Sequence, residues 1–176
     1  MTGLGYMVMV SSLSAEEFAN FFGLDGVKVK NWCEGKEDIS ENAEKLIKVT
    51  RDSFFVGIEK LQVGNRLGDV GHAIDSLVVA NGFSTVKRYI GHGIGHDLHE
   101  SPDVPNYGTE GRGTRLCAGM TLAIEPMVNV GGCEVRQLND GWTVKTADGS
   151  LAAHYENTVA LTSNGVIVMT QLESDF

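Results

Sequence analysis

The sequence predicts an α+β domain in which helices pack on one face of a curved, mostly antiparallel sheet. Three observations predict it. Apolar residues recur at helical spacing from about residue 40 to 80, and short strand-like runs follow from residue 85. No repeat, low-complexity tract or Pro/Ser-rich linker divides the 176 residues, so they are read as a single domain.

Taken in order, residues 6–10 (YMVMV) read as a short apolar strand, and Ser14 with Glu17 as a capping box opening a helix through Phe22. Asp25-Gly26 marks a turn before VKVKNW (27–32), which alternates like an exposed strand. Ser40 can cap a long helix in which Ala43, Leu46, Ile47, Phe54, Ile58 and Leu61 form one apolar stripe, with Gly64 as its end. A second helix carries Leu67, Val70, Ile74, Leu77 and Val78 on one face and stops at Asn81-Gly82. His72 falls on its opposite, solvated face. The predicted strands are TVKRYIG, MTLAIEPMV, CEVRQL, GWTVKT, HYENTVALT and GVIVMTQ, and residues 91–120 are long for a loop.

Composition excludes several classes. Hydrophobic residues at 42% and charged residues at 21% argue against disorder, and no apolar run is long enough to span a membrane. The start, MTGLGYMVMV, lacks a basic n-region and is not read as a signal peptide. Cys33, Cys117 and Cys133 are odd in number and without a CxxC pair, a reducing-compartment pattern in which they are expected as buried small apolar residues. A net charge of −9 with 14 scattered basic residues weighs against nucleic acid as a partner. The same acidic excess can solvate a surface or supply carboxylates for hard cations.

Chemistry concentrates in GHGIGHDLHESP (91–102) and in two strand-borne glutamates. The first segment does not follow phosphate-cradle spacing; its three histidines point instead to a metal or acid–base site. In MTLAIEPMV, alternation puts Glu125 on the face of Thr121 and Ala123; in HYENTVAL it puts Glu156 with Thr158 and Ala160. A carboxylate inside a sheet needs a neutralising partner. A buried Arg88 or Arg136 would serve, and so would a divalent cation, which the histidine cluster favours.

GHGIGHDLHESP, GMTLAIEPMVN (119–129), DGWTVKT (140–146) and HYENTVALT (154–162) occur in the order and approximate spacing of the C-terminal motifs of type I methionine aminopeptidases. The resemblance covers roughly residues 36–176. Prolidase and creatinase relatives would carry an EPG-type segment where this chain has Glu-Pro-Met-Val-Asn, and the helical insertion of type II enzymes is not found. The resemblance implies the pita-bread (creatinase/aminopeptidase-like) fold, largely its C-terminal half. It also implies a cytoplasmic metallohydrolase that removes N-terminal methionine from nascent proteins, with the ribosome as a candidate partner.

Carried over by position, the resemblance implies His92, Glu125 and Glu156 as ligands of divalent Co, Mn, Fe or Zn, with Glu156 bridging two ions in the family. It implies Glu125 as the base, His99 as a hydrogen-bond donor to substrate and tetrahedral intermediate, and Trp142 with Leu98 over the methionine pocket. His96 and His154 match no family ligand and are read as structural. The family's two aspartate ligands, with ten residues between them, and the histidine of its HGIP segment have no match in the divergent residues 1–35. Asp25 and Asp38 stand in other contexts, with twelve residues between them. The expectation is therefore at most about one bound ion and an impaired activity; a non-catalytic remnant or binding module is the alternative.

Overall fold

The computed structural model describes residues 40–170. The elements expected over 6–10, 14–22 and 27–32 lie outside the described residues. Helix α1 runs Glu41–Glu59 and α2 runs Leu67–Ala80. Ser40 caps α1 as expected, its hydroxyl accepting from Ala43 N at 3.2 Å. The helix ends at Glu59, earlier than Gly64, and Leu61 still packs in the core from the turn that follows. The α2 stop is as read, with Gly82 in the left-handed region at φ 83°.

Ten short strands follow: β1 (Ser84–Thr85), β2 (Gly91–Gly93), β3 (Glu100–Val104), β4 (Thr121–Ile124), β5 (Met127–Asn129), β6 (Val135–Gln137), β7 (Val144–Thr146), β8 (Ala152–His154), β9 (Asn157–Thr162) and β10 (Gly165–Val168). They form a five-stranded sheet, β10-β9-β4-β2-β3, a three-stranded sheet, β1-β5-β8, and the β6–β7 hairpin. Every strand pairing is antiparallel.

The run TVKRYIG is strand only at its ends, Thr85 and Gly91, and two further expectations change here. The segment 91–120 is not one loop, because β2 and β3 pair within it. The runs MTLAIEPMV and HYENTVALT are not single strands. Each leaves one sheet and enters the other, at Glu125-Pro126 and at Tyr155-Glu156. Proline has no N–H to give a ladder, so a break at Pro126 follows from its chemistry.

The helices span both sheets. Phe54, Val70 and Ile74 pack against Leu122, Ile124, Val159 and Leu161 beneath the five-stranded sheet. Leu46, Val49 and Val78 pack against Val128 and Ala153 beneath the three-stranded one. The helical layer therefore bridges the step between the sheets, and the opposite face of that step is left for polar groups.

Candidate metal centre

The step brings the two glutamates together. Ile124 pairs with Asn157 on one side and Met127 with His154 on the other, and Tyr155 N donates to Pro126 O at 3.1 Å between them. Carrying that register through sets Glu125 opposite Glu156. Buried Asn106 pins the turn by donating from Nδ2 to the Glu125 carbonyl at 3.0 Å.

His92 arrives from β2, opposite Ala123 of β4 and Asp103 of β3. Ala123 in turn pairs with Thr158, so these side chains share the face turned away from Leu122 and Ile124. Gly91 and Gly93 make the close approach possible: a Cβ on them would lie 2.2 Å from Ala123 O and 2.3 Å from Ser101 O. Nδ1–H of His92 donates to Gly93 O at 2.9 Å, since a carbonyl only accepts. In the neutral ring this leaves Nε2 as a lone pair, 3.8 Å from Glu125 Oε1.

The second imidazole at Glu125 is His154. Its Nε2 lies 3.4 Å from Glu125 Oε2 and 4.0 Å from Glu156 Oε2. Ligand atoms of Glu125, His154 and Glu156 all fall within 4.8 Å of one another. Sequence reading left His154 as structural; the structure sets its ring beside both carboxylates. The signal was present, because alternation along HYENTVAL puts positions 154 and 156 on one face.

The partners facing Glu125 are imidazoles rather than Arg88 or Arg136; the Arg88 guanidinium lies over the Tyr89 ring. Burial raises the Glu156 carboxyl above its ordinary value, and the neighbouring Glu125 carboxylate raises it further. His154, His92 and His99 oppose that shift. Two facing carboxylates and a buried imidazole nitrogen without a hydrogen bond form a donor set that suits a divalent cation.

The remaining predicted residues lie around this cluster. The His99 ring stands 4.0 Å from the His92 ring, centroid to centroid, and is exposed. His96 is exposed beside Asp97, and His72 is exposed on α2 near Ser76. Leu98 and Trp142 are 68% and 76% exposed, so each presents apolar surface to solvent. Asp140 holds the Trp142 turn by accepting from Trp142 N and Thr143 N, and its pKa is lowered first by the Thr143 hydroxyl. A cleft of about 310 Å³ lined by Leu67, Asp103, Tyr107 and Arg112 opens at the start of α2. It contains none of the clustered histidines and glutamates, and the donor chemistry outranks it as the site.

Paired carboxylates flanked by imidazoles, at the step between two antiparallel sheets, define a candidate divalent-cation site. The family model of metallopeptidase family M24 matches residues 31–163. The methionine aminopeptidase of Clostridium perfringens is 58% identical over 139 residues, 79% of this chain and 56% of that relative. The crystal structure of the Thermotoga maritima methionine aminopeptidase aligns with TM-score 0.75 at 46% identity, over 77% of this chain and 54% of that one. The Rickettsia prowazekii methionine aminopeptidase aligns with TM-score 0.74 at 41% identity, over 76% and 54%. This chain belongs to metallopeptidase family M24, and its fold is the pita-bread fold. It spans about half the length of the relatives it matches. No helix among the described residues is long and apolar enough to cross a membrane.

Proposed function

We propose that this chain carries a metal-dependent aminopeptidase site that removes the N-terminal methionine of peptides, with nascent proteins in the cytoplasm as substrates and the ribosome as a candidate partner. One observation carries the reading: Glu125 and Glu156 sit at ligand spacing with His154, and His92 Nε2 lies 3.8 Å from Glu125 Oε1. The similarity to methionine aminopeptidases supports the choice of substrate.

His92, Glu125 and Glu156 would hold the divalent ion, Co, Mn, Fe or Zn. When bound, such an ion supplies Lewis acidity that polarises a carbonyl and acidifies water. Glu125, 13% exposed and facing two imidazoles, would take the proton of the attacking water and return it to the leaving amine; its two imidazole neighbours support that role. His99, exposed beside His92, donates a hydrogen bond to the oxygen that gains charge in the tetrahedral intermediate. Leu98 and Trp142 offer apolar surface to the methionine side chain. With no counterpart to the family's two aspartates in residues 1–35, we place at most about one ion here and expect weak turnover.

The test is release of free methionine from a Met-Ala peptide by the full chain with Co or Mn. Release is expected to be metal-dependent, slower than by a full-length relative, and lowered on the order of 10²-fold by Glu125→Gln or His99→Ala. Release that ignores both the ions and Glu125→Gln would overturn the reading.

A further inference from the structure

We infer that His154 is itself a ligand of the divalent cation, at the corner between Glu125 Oε2 and Glu156 Oε2. This rests on the proposed metal centre and adds to it a residue that the motif resemblance leaves out.

The imidazole is almost withdrawn from solvent, with a side chain 10% exposed. Its Nε2 is buried and makes no hydrogen bond. A histidine kept for packing would turn that nitrogen toward water or a polar partner, because a buried ring nitrogen without one is unfavourable. Here it aims between two carboxylate oxygens, 3.4 Å from one and 4.0 Å from the other, and is hydrogen-bonded to neither.

Those separations suit shared coordination. Imidazole and carboxylate ligands stand about 2.0–2.2 Å from a zinc-sized ion, so two ligand atoms on one ion lie at most about 4.4 Å apart. Both His154 distances fall within that limit. The backbone fixes the arrangement, since β8 sets His154 opposite Met127, β9 sets Asn157 opposite Ile124, and the register extended between them sets Glu156 opposite Glu125. Glu125 thus presents Oε1 to His92 and Oε2 to His154, one carboxylate between two imidazoles. An added nitrogen donor biases the centre toward Zn, Co or Fe and away from Mg or Ca.

The experiment is calorimetric titration of the full chain with Mn, together with pulsed electron paramagnetic resonance of the Mn-loaded chain. His154→Gln, His154→Ala, Glu125→Ala and the control His72→Ala are compared with the native protein. A His154 ligand predicts two histidine nitrogens coupled to Mn in the native chain. It also predicts loss of one coupling and an affinity drop of about tenfold or more in His154→Gln, with no change in His72→Ala. Unchanged affinity and couplings in His154→Gln, while Glu125→Ala abolishes binding, would overturn the inference and leave the metal centre standing. Absence of Mn binding by the native chain would overturn both. If the His154 variants melt early, Mn-loaded His92→Ala decides: a remaining histidine-nitrogen coupling supports a His154 ligand and none refutes it.

Discussion

On one side of the step between the sheets, Ile124 pairs with Asn157 and is wholly buried against Phe54, Ile74 and Val159. One residue beyond that ladder the same register brings Glu125 beside Glu156, two carboxylates with imidazoles as their neighbours. The packed side is satisfied by contacts within the chain. The step is not, because Glu156 is raised by burial and by Glu125, and His154 Nε2 has no hydrogen bond. The difference teaches that the helical layer supplies rigidity on one face so that polar strain can be held on the other.

The largest effect expected from this comparison lies on the packed side. Phe54, fully buried at the edge of the Tyr155 ring, should lower stability by about 3–5 kcal/mol on Phe54→Ala, read by urea unfolding. A loss under 1 kcal/mol would mean that the helical layer does not anchor the step. Gly93→Ala comes next, since its new Cβ would fall 2.3 Å from Ser101 O. Overpacking of this kind costs about 1–3 kcal/mol, and the shift of β2 should weaken Mn binding more than it lowers the melting temperature. Equal Mn affinity in the variant would show that His92 is not positioned by the β2–β3 contact.

The smallest effect concerns charge. A carboxyl whose folded pKa is raised favours the fold below its unfolded value, near the ordinary 4.5, and that contribution is lost as pH rises through the folded value. Ionised Glu156 therefore opposes the metal-free fold at neutral pH. Metal-free Glu156→Gln should melt slightly above the native chain at pH 7, with the gap closing below about pH 4, where the native carboxyl is protonated. Mn should raise the native melting temperature more than that of the variant. A variant that melts lower at pH 7 without metal would remove the electrostatic contrast between step and core.

Much of this was legible in local pattern. Ser40 and Asn81-Gly82 mark helix ends by capping chemistry, and the α2 stripe names the residues that pack. His92, Glu125 and Glu156 stand out because charged or imidazole groups interrupt strands and a glycine-rich segment. The β2–β3 pairing was not legible, because glycines silence the alternation that marks a strand. The closeness of His154 to both carboxylates was not read, because resemblance carries roles only onto matching positions, even though its parity with Glu156 was visible.

The sequence by itself determined which residues face inward, where the helices begin and where α2 stops, since these depend on spacing and side-chain chemistry within one segment. Only the tertiary structure decided that each glutamate strand divides between two sheets, and that Glu125, Glu156 and His154 therefore meet. Period-two alternation assigns a residue to a face and says nothing of which sheet that face belongs to. Register across the step, held by pairing between segments some thirty residues apart (Ile124 with Asn157, Met127 with His154), is what brings the donors within reach of one another.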